Sequence, residues 1–247
     1  MKTAIRQKVR KTFLFASLLL FPVSMYYFSP YLPFMAAGEG IIAGSLLVFS
    51  GMFVTAMLCG RFFCGWICPA GAVQEFASEM RTKRVNRKKA GWIKYLIWIP
   101  WILFLLYALF TAGGIKKAEF LYQTEHGVSI ANVAAYITYY SVIALFLIPV
   151  IIAGRRGGCH SLCWMAPFMI AGKKTGSLLT IPRLHIKRRN DDCTHCNICT
   201  NNCPMSLDVS AELEAGTLAE QTDCILCGVC VDSCPKKAMG YSFGRRK

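Results

Sequence analysis

The chain has 247 residues, of which 55% are hydrophobic, and a mean hydropathy of +0.42. That apolar excess excludes an ordinary soluble protein, while the length leaves room for two modest domains. A formal charge of +15 would suggest nucleic acid in a soluble chain. Here the Lys and Arg flank long apolar runs, so membrane orientation explains them and no nucleic-acid partner is expected.

Residues 1–11 carry Lys2, Arg6, Lys8, Arg10 and Lys11, and an apolar run from Thr12 to Phe28 follows. A basic start before an apolar run is also the form of a signal peptide. No A-x-A-like cleavage site follows, and the Tyr26 to Tyr31 aromatics read as an interfacial belt. The run is therefore expected to be an uncleaved transmembrane helix, with Pro22 a kink that spanning helices tolerate. Three more apolar runs lie at about 41–59, 92–110 and 134–153, each near the roughly 20 residues needed to cross the hydrocarbon core. The expected architecture is a membrane α-helical domain of four transmembrane helices in two hairpins, over residues 1–172. The amino-terminal tail, the 60–91 loop, Lys94 and everything after Gly154 hold every Lys and Arg except Lys116 and Lys117. By the positive-inside rule these segments face the cytoplasm of a prokaryotic cell.

After the second run the sequence reads GRFFCGWICPAG, with Cys64 and Cys68 four residues apart. After the fourth it reads GRRGGCHSLCWMAP, with Cys159 and Cys163 at the same spacing. On a helix, i and i+4 share a face, so each pair can present two thiolates to one metal. The repeat helix–helix–CxxxC occurs twice, and such repeats often build a shared site at their interface. Cys64, Cys68, Cys159 and Cys163 are thus expected to hold a third metal or iron–sulfur centre, against the alternative of buried reduced thiols. Cys59 is left over, and His160 reads as neither ligand nor proton carrier. The basic runs Lys83 to Lys89 and Arg183 to Arg189 are expected to meet anionic lipids, the second within a linker at 173–189. An acidic redox partner is the other reading.

Residues 190–247 form the second expected domain. They carry CTHCNICTNNCP and CILCGVCVDSCP, each a C-x₂-C-x₂-C-x₃-C-P run of the kind that binds [4Fe–4S] clusters in bacterial ferredoxins. The fourth cysteine of each run serves the other cluster. This assigns Cys193, Cys196, Cys199 and Cys234 to the first cluster, and Cys224, Cys227, Cys230 and Cys203 to the second. Pro204 and Pro235 turn the chain away from the ligand loops. Zinc also uses C-x₂-C, but two complete four-cysteine runs closed by Cys-Pro favour an α+β ferredoxin domain. Residues 211–220 read as a short acidic helix, and the tail after Met239 as a strand.

CGWICPAG after a membrane hairpin, a second CxxxC after another, and the double-cluster carboxy terminus together resemble the NapH/NosR-type polytopic membrane ferredoxins. The resemblance spans about residues 6–240. It implies electron transfer between the membrane quinol pool and a reductase system, with Cys64, Cys68, Cys159 and Cys163 as the family's paired membrane cysteines. Two departures stand out. Cys163 is followed by Trp164 where the family often has proline, and Pro167 comes only later. The outward flavin-binding domain of larger NosR-like members is not present before the first helix, so a route to the outer face is expected to need another subunit.

The expected function is a quinol-linked oxidoreductase subunit that relays electrons between quinone and another redox protein. A membrane copper or iron reductase, or an assembly factor for a respiratory metalloenzyme, is the main alternative, because cysteine pairs select soft Cu(I). A redox-sensing scaffold is the third. No catalytic triad, Walker A loop or Rossmann glycine fingerprint is visible, so nucleotide chemistry would belong to a partner.

Overall fold

The computed structural model describes residues 4–245, without the side chains of Lys88, Lys89 and Ala134. Lys2, Arg246 and Lys247, assigned above to the cytoplasmic face, lie outside the described residues. The membrane part comprises α1 (Ile5–Leu19), α2 (Tyr31–Gly38), α3 (Gly44–Cys59), α4 (Phe62–Trp66), α5 (Pro69–Ala77), α6 (Ile93–Thr111), α7 (Val133–Ala153), α8 (Gly157–Ser161) and α9 (Met165–Leu178).

The four expected spans are not all helices of membrane-crossing length among the described residues. Two helices, α6 and the Ala135–Ala153 part of α7, are long and apolar enough to cross a membrane. A third results only if α1 and the Phe21–Phe28 segment, bent by 59°, count as one span. The bend has a chemical cause. Pro22 has no N–H to return to the carbonyl four residues back, so the ladder of α1 stops at Leu20. The second apolar run is shorter than its hydropathy suggests. Residues Ile41–Ala43 form β1, which pairs in parallel with β2 (Lys117–Glu119). At the other end Gly60, at φ +53°, closes α3. The 16 residues of α3 rise only about 24 Å at 1.5 Å each, against about 30 Å of hydrocarbon.

The segment after α7 does not leave the bundle. α8 and α9 fold back, and α9 lies along α3 with Phe168 stacked on Phe49. A Cβ at Gly172 would stand 2.1 Å from the Phe53 carbonyl oxygen, and one at Gly176 would stand 2.7 Å from that of Met57. Glycine at both positions lets the two backbones touch, as small-xxx-small pairs do in membranes. α9 thus runs past the expected domain edge at residue 172, and most of the expected linker is helix or strand.

The carboxy-terminal domain is closed by β3 (Arg183–Arg188) against β4 (Met239–Gly244), antiparallel with Ile186 opposite Tyr241. Its two cysteine runs share a backbone pattern. His195 and Leu226, Asn197 and Gly228, and Ser206 and Lys237 all have positive φ, at matching offsets in the two runs. Five of these six are not glycine, and left-handed backbone disfavours side-chain-bearing residues. The loops hold a backbone conformation that their local sequence does not itself prefer.

The start of α1 and the end of α4 pack against this domain, α1 through Arg6 to Asp232 and Gln7 to the Cys227 carbonyl, and α4 through Trp66 to the Leu226 carbonyl. Elsewhere in this part, Ser129 Oγ donates to the Val23 carbonyl. One buried core runs without interruption from Phe49 and Met169, through Cys64, Cys68, Cys159 and Cys163, to Cys203, Cys227 and Cys230.

Candidate metal centres and the junction between them

The ferredoxin cysteines gather into two sets. Cys193, Cys196, Cys199 and Cys234 line a cavity of about 340 Å³ with Ile198, Lys236 and Met239. Cys203, Cys224, Cys227 and Cys230 line another of about 350 Å³ with Ile186, Leu207 and Ile225. Each cavity therefore takes three cysteines from one run and the fourth from the other. Their surroundings differ. Cys196 is exposed, and Cys193 and Cys234 are half-buried, whereas Cys203, Cys227 and Cys230 are buried. Burial pushes the Cys203 thiol up to about 12 and the Cys227 thiol up to about 11. Bare thiols there stay protonated at neutral pH, and a metal is what makes them thiolates.

All four membrane cysteines are buried. Cys68 caps α5, its sulfur accepting the Gly71 N–H at 3.4 Å. Gln74 donates to Cys159 Sγ at 3.1 Å and accepts the Cys159 N–H at 3.0 Å. Cys64 Sγ is 3.5 Å from Met169 Sδ. Burial pushes Cys163 up to about 12, reinforced by Cys159 and Cys64, and Cys68 lies in electrostatic range of the other three. The two CxxxC pairs thus come together in one buried cluster. Among the described residues no group of three or more His, Cys, Asp or Glu closes around a single ion. A multi-iron cluster binds each thiolate to a different iron, so its ligands need not converge on a point.

This pocket adjoins the second ferredoxin cavity. A Cβ at Gly65 would stand 2.3 Å from the Ile225 carbonyl oxygen, so only glycine allows the contact. Trp66 Nε1 donates to the Leu226 carbonyl at 3.0 Å, and Gln7 donates to that of Cys227 at 3.0 Å. The CGWIC loop therefore lies directly on the ILC stretch of the second cysteine run.

Buried ion pairs surround the junction. Arg61 and Lys94 both bind Asp223 Oδ1, at 3.1 and 3.0 Å. Arg10 and Arg156 share Glu75. Burial alone would raise Glu75, but Arg156 and Arg10 outweigh it and hold its carboxyl at about 2. His160 is fully buried, and neither ring nitrogen has a hydrogen-bond partner among the described residues. It follows Cys159 in the chain, and its buried ring is an orphaned polar group.

A feature without sequence signature is an apolar cleft lined by Phe21, Met25, Phe28, Pro69, Trp164 and Met165, among others. Pro69 follows Cys68 and Trp164 follows Cys163, so the cleft touches both halves of the cysteine pocket. Trp164 Nε1 donates to the Phe28 carbonyl at 2.8 Å, which fixes the turn after the α1 break against it.

Comparison with known proteins agrees with this arrangement. Residues 42–88 match a family described as a 4Fe-4S binding domain, and residues 192–239 match a 4Fe-4S dicluster domain. An uncharacterized protein of Methanocaldococcus jannaschii is 25% identical over 86% of this chain and 79% of its own length. The methylamine utilization ferredoxin-type protein MauN of Methylorubrum extorquens is 28% identical over 68% of this chain and 54% of its own length. The ferredoxin-type protein NapH of Haemophilus influenzae is 28% identical over 60% and 49%. The chain thus spans about half the length of these last two relatives. No solved structure matches it. With both 4Fe-4S regions and these relatives, the chain is similar to NapH-type ferredoxins and other ferredoxin-type electron transport proteins.

Proposed function

We propose that the chain is a membrane-bound electron-transfer subunit that relays electrons between the quinol pool and a cytoplasmic redox protein. The observation that carries this reading is the continuous buried core from the membrane cysteines to the second ferredoxin set, joined where Gly65 and Trp66 meet Ile225 and Leu226. Cys193, Cys196, Cys199 and Cys234 would hold one [4Fe–4S] cluster, and Cys203, Cys224, Cys227 and Cys230 a second. Cys64, Cys68, Cys159 and Cys163 would hold a third iron–sulfur centre. Such clusters supply one-electron chemistry over a wide range of potentials. The chain's own residues exclude water from the inner two sites and leave the outer one, at Cys196, open to a partner. The apolar cleft against Pro69 and Trp164 suits a quinone headgroup, a largely apolar lining being usual for small-ligand sites. Contact of the α1 start, the α4–α5 loop and the ferredoxin domain supports one cytoplasmic face carrying all three.

Anaerobic mixing of the purified protein with a menaquinol tests the reading. Both ferredoxin clusters should become reduced in the wild type and stay oxidised in Cys64→Ser. Equal reduction in the two proteins would remove the membrane cysteines from the path, and no exchange with quinol or quinone in either direction would end the quinol reading. The approach of Met169 Sδ to Cys64 Sγ at 3.5 Å also favours a second reading, a copper-handling site, since thioether and thiolate suit Cu(I). Copper rather than iron lost in Cys64→Ser would establish it.

A further inference from the structure

Each cysteine pair is preceded by an arginine at the same offset: Arg61-x-x-Cys64-x-x-x-Cys68 and Arg156-x-x-Cys159-x-x-x-Cys163. The two halves are also cross-braced. Gln74 and Met169 stand at equal offsets beyond Cys68 and Cys163. Gln74 holds Cys159 of the other half, and Met169 touches Cys64 of the other half. Arg156 Nη1 donates to the Cys64 carbonyl at 2.8 Å, again across the halves. The pocket is therefore a pseudo-twofold site, and the arginines belong to its repeat.

Both arginines are fully buried. A buried cation without a counter-charge is strongly destabilising. Yet Arg61, Lys94 and the less buried Arg87 share the single carboxylate of Asp223, while Arg156 and Arg10 share that of Glu75. In the ion pairs of the described residues, each group thus keeps at least one positive charge that no carboxylate matches. The sulfurs nearby would match it. Arg61 Nη2 lies 3.9 Å from Cys64 Sγ, and Arg61 is in electrostatic range of Cys163 and Cys159. Arg156 is in range of Cys159 on one side and Cys227 of the second ferredoxin set on the other.

We infer that Arg61 is the fixed counter-ion of a thiolate-bound centre on Cys64, Cys68, Cys159 and Cys163, and that Arg156 is a counter-ion shared between that centre and the second ferredoxin cluster. The inference rests on the third centre proposed above. Four thiolates around an oxidised iron–sulfur core leave a net negative charge, and taking up one electron from quinol increases it. A fixed cation therefore favours the reduced form and raises the potential, because net charge is one of the determinants of cluster potential. Arg61 and Arg156 act as positioning and tuning residues, and their asymmetry is the testable part.

The experiment is redox-poised EPR of the full-length protein, purified anaerobically, as wild type, Arg61→Gln, Arg61→Lys, Arg156→Gln and Arg156→Lys, with iron counted in each. Asp223 keeps Lys94 and Glu75 keeps Arg10 in these variants, so neither carboxylate loses its last partner. Arg61→Gln should lower the potential of the membrane-centre signal alone. Arg156→Gln should lower that signal and the second ferredoxin cluster, leaving the first unchanged, and both lysine variants should stay near wild type. A glutamine variant that loses iron while its lysine counterpart keeps it also supports the charge role. Unshifted potentials, an equal shift of all clusters, or iron loss in the lysine variants as well would overturn it. Absence of a third signal in the wild type would instead sink the third-centre reading and Arg61's role, while Arg156 would still be judged by the second cluster.

Discussion

The two ferredoxin cavities have the same ligand spacing and opposite surroundings. One is lined by an exposed Cys196 and half-buried Cys193 and Cys234. The other is lined by buried Cys203, Cys227 and Cys230, and the CGWIC loop lies on its edge. Ligand identity is thus a property of the local sequence, while access is a property of what the domain is packed against. Spacing alone would make the two clusters equivalent. Packing would make one the membrane-facing end of the proposed path and the other its outlet.

The largest expected effect separates these two ends. Cys230→Ser should remove about four irons and leave the remaining cluster beyond reach of quinol electrons. Cys196→Ser should spare quinol reduction of the second cluster and abolish only delivery to the partner. Cluster-resolved EPR after quinol addition checks this, and identical behaviour of the two variants would erase the distinction. Next comes the buried charge of the junction. Glu75→Gln leaves Arg10 and Arg156 without their carboxylate and should cost about 3–5 kcal/mol in thermal unfolding. Glu75, held at about 2 against roughly 4.3 in an unfolded chain, stabilises the fold above the unfolded value. That contribution should fade as pH falls below about 4 toward 2, and vanish from the profile of Glu75→Gln. Third, Gly65→Ala drives a methyl into the Ile225 carbonyl and should cost about 1–3 kcal/mol. It should slow reduction of the second cluster by quinol while leaving that cluster's iron in place. The smallest effect is at the rim of the same junction. Lys11 and Glu79 are paired but exposed, and Lys11→Ala should change stability by about 1 kcal/mol or less.

The contrast also marks where sequence could be read. The grouping of the ferredoxin cysteines into two sets was legible because C-x₂-C-x₂-C-x₃-C-P is a local pattern that already contains its exchanged fourth cysteine. The short α3 was not, because residues 41–43 are apolar enough for a span and become a strand only through Lys117 to Glu119, far along the chain. The break at Leu20 was half legible. Pro22 was visible as a kink, but not a bend of 59°. The return of α9 had a signal that went unused, since Gly172-x-x-x-Gly176 is a small-xxx-small pair. The repeat carries a similar signal, an arginine three residues before each CxxxC pair. Glu75 and Asp223, which organise the buried cations, look like ordinary surface acids until the fold closes over them.

The central claim is that the membrane cysteines hold an iron–sulfur centre feeding the buried ferredoxin cluster. Its most direct test is iron and acid-labile sulfide per chain in anaerobically purified wild type and Cys64→Ser. The account predicts about ten to twelve irons in the wild type and about eight in the variant. About eight in both would contradict it, leaving a two-cluster ferredoxin whose membrane pocket serves something else.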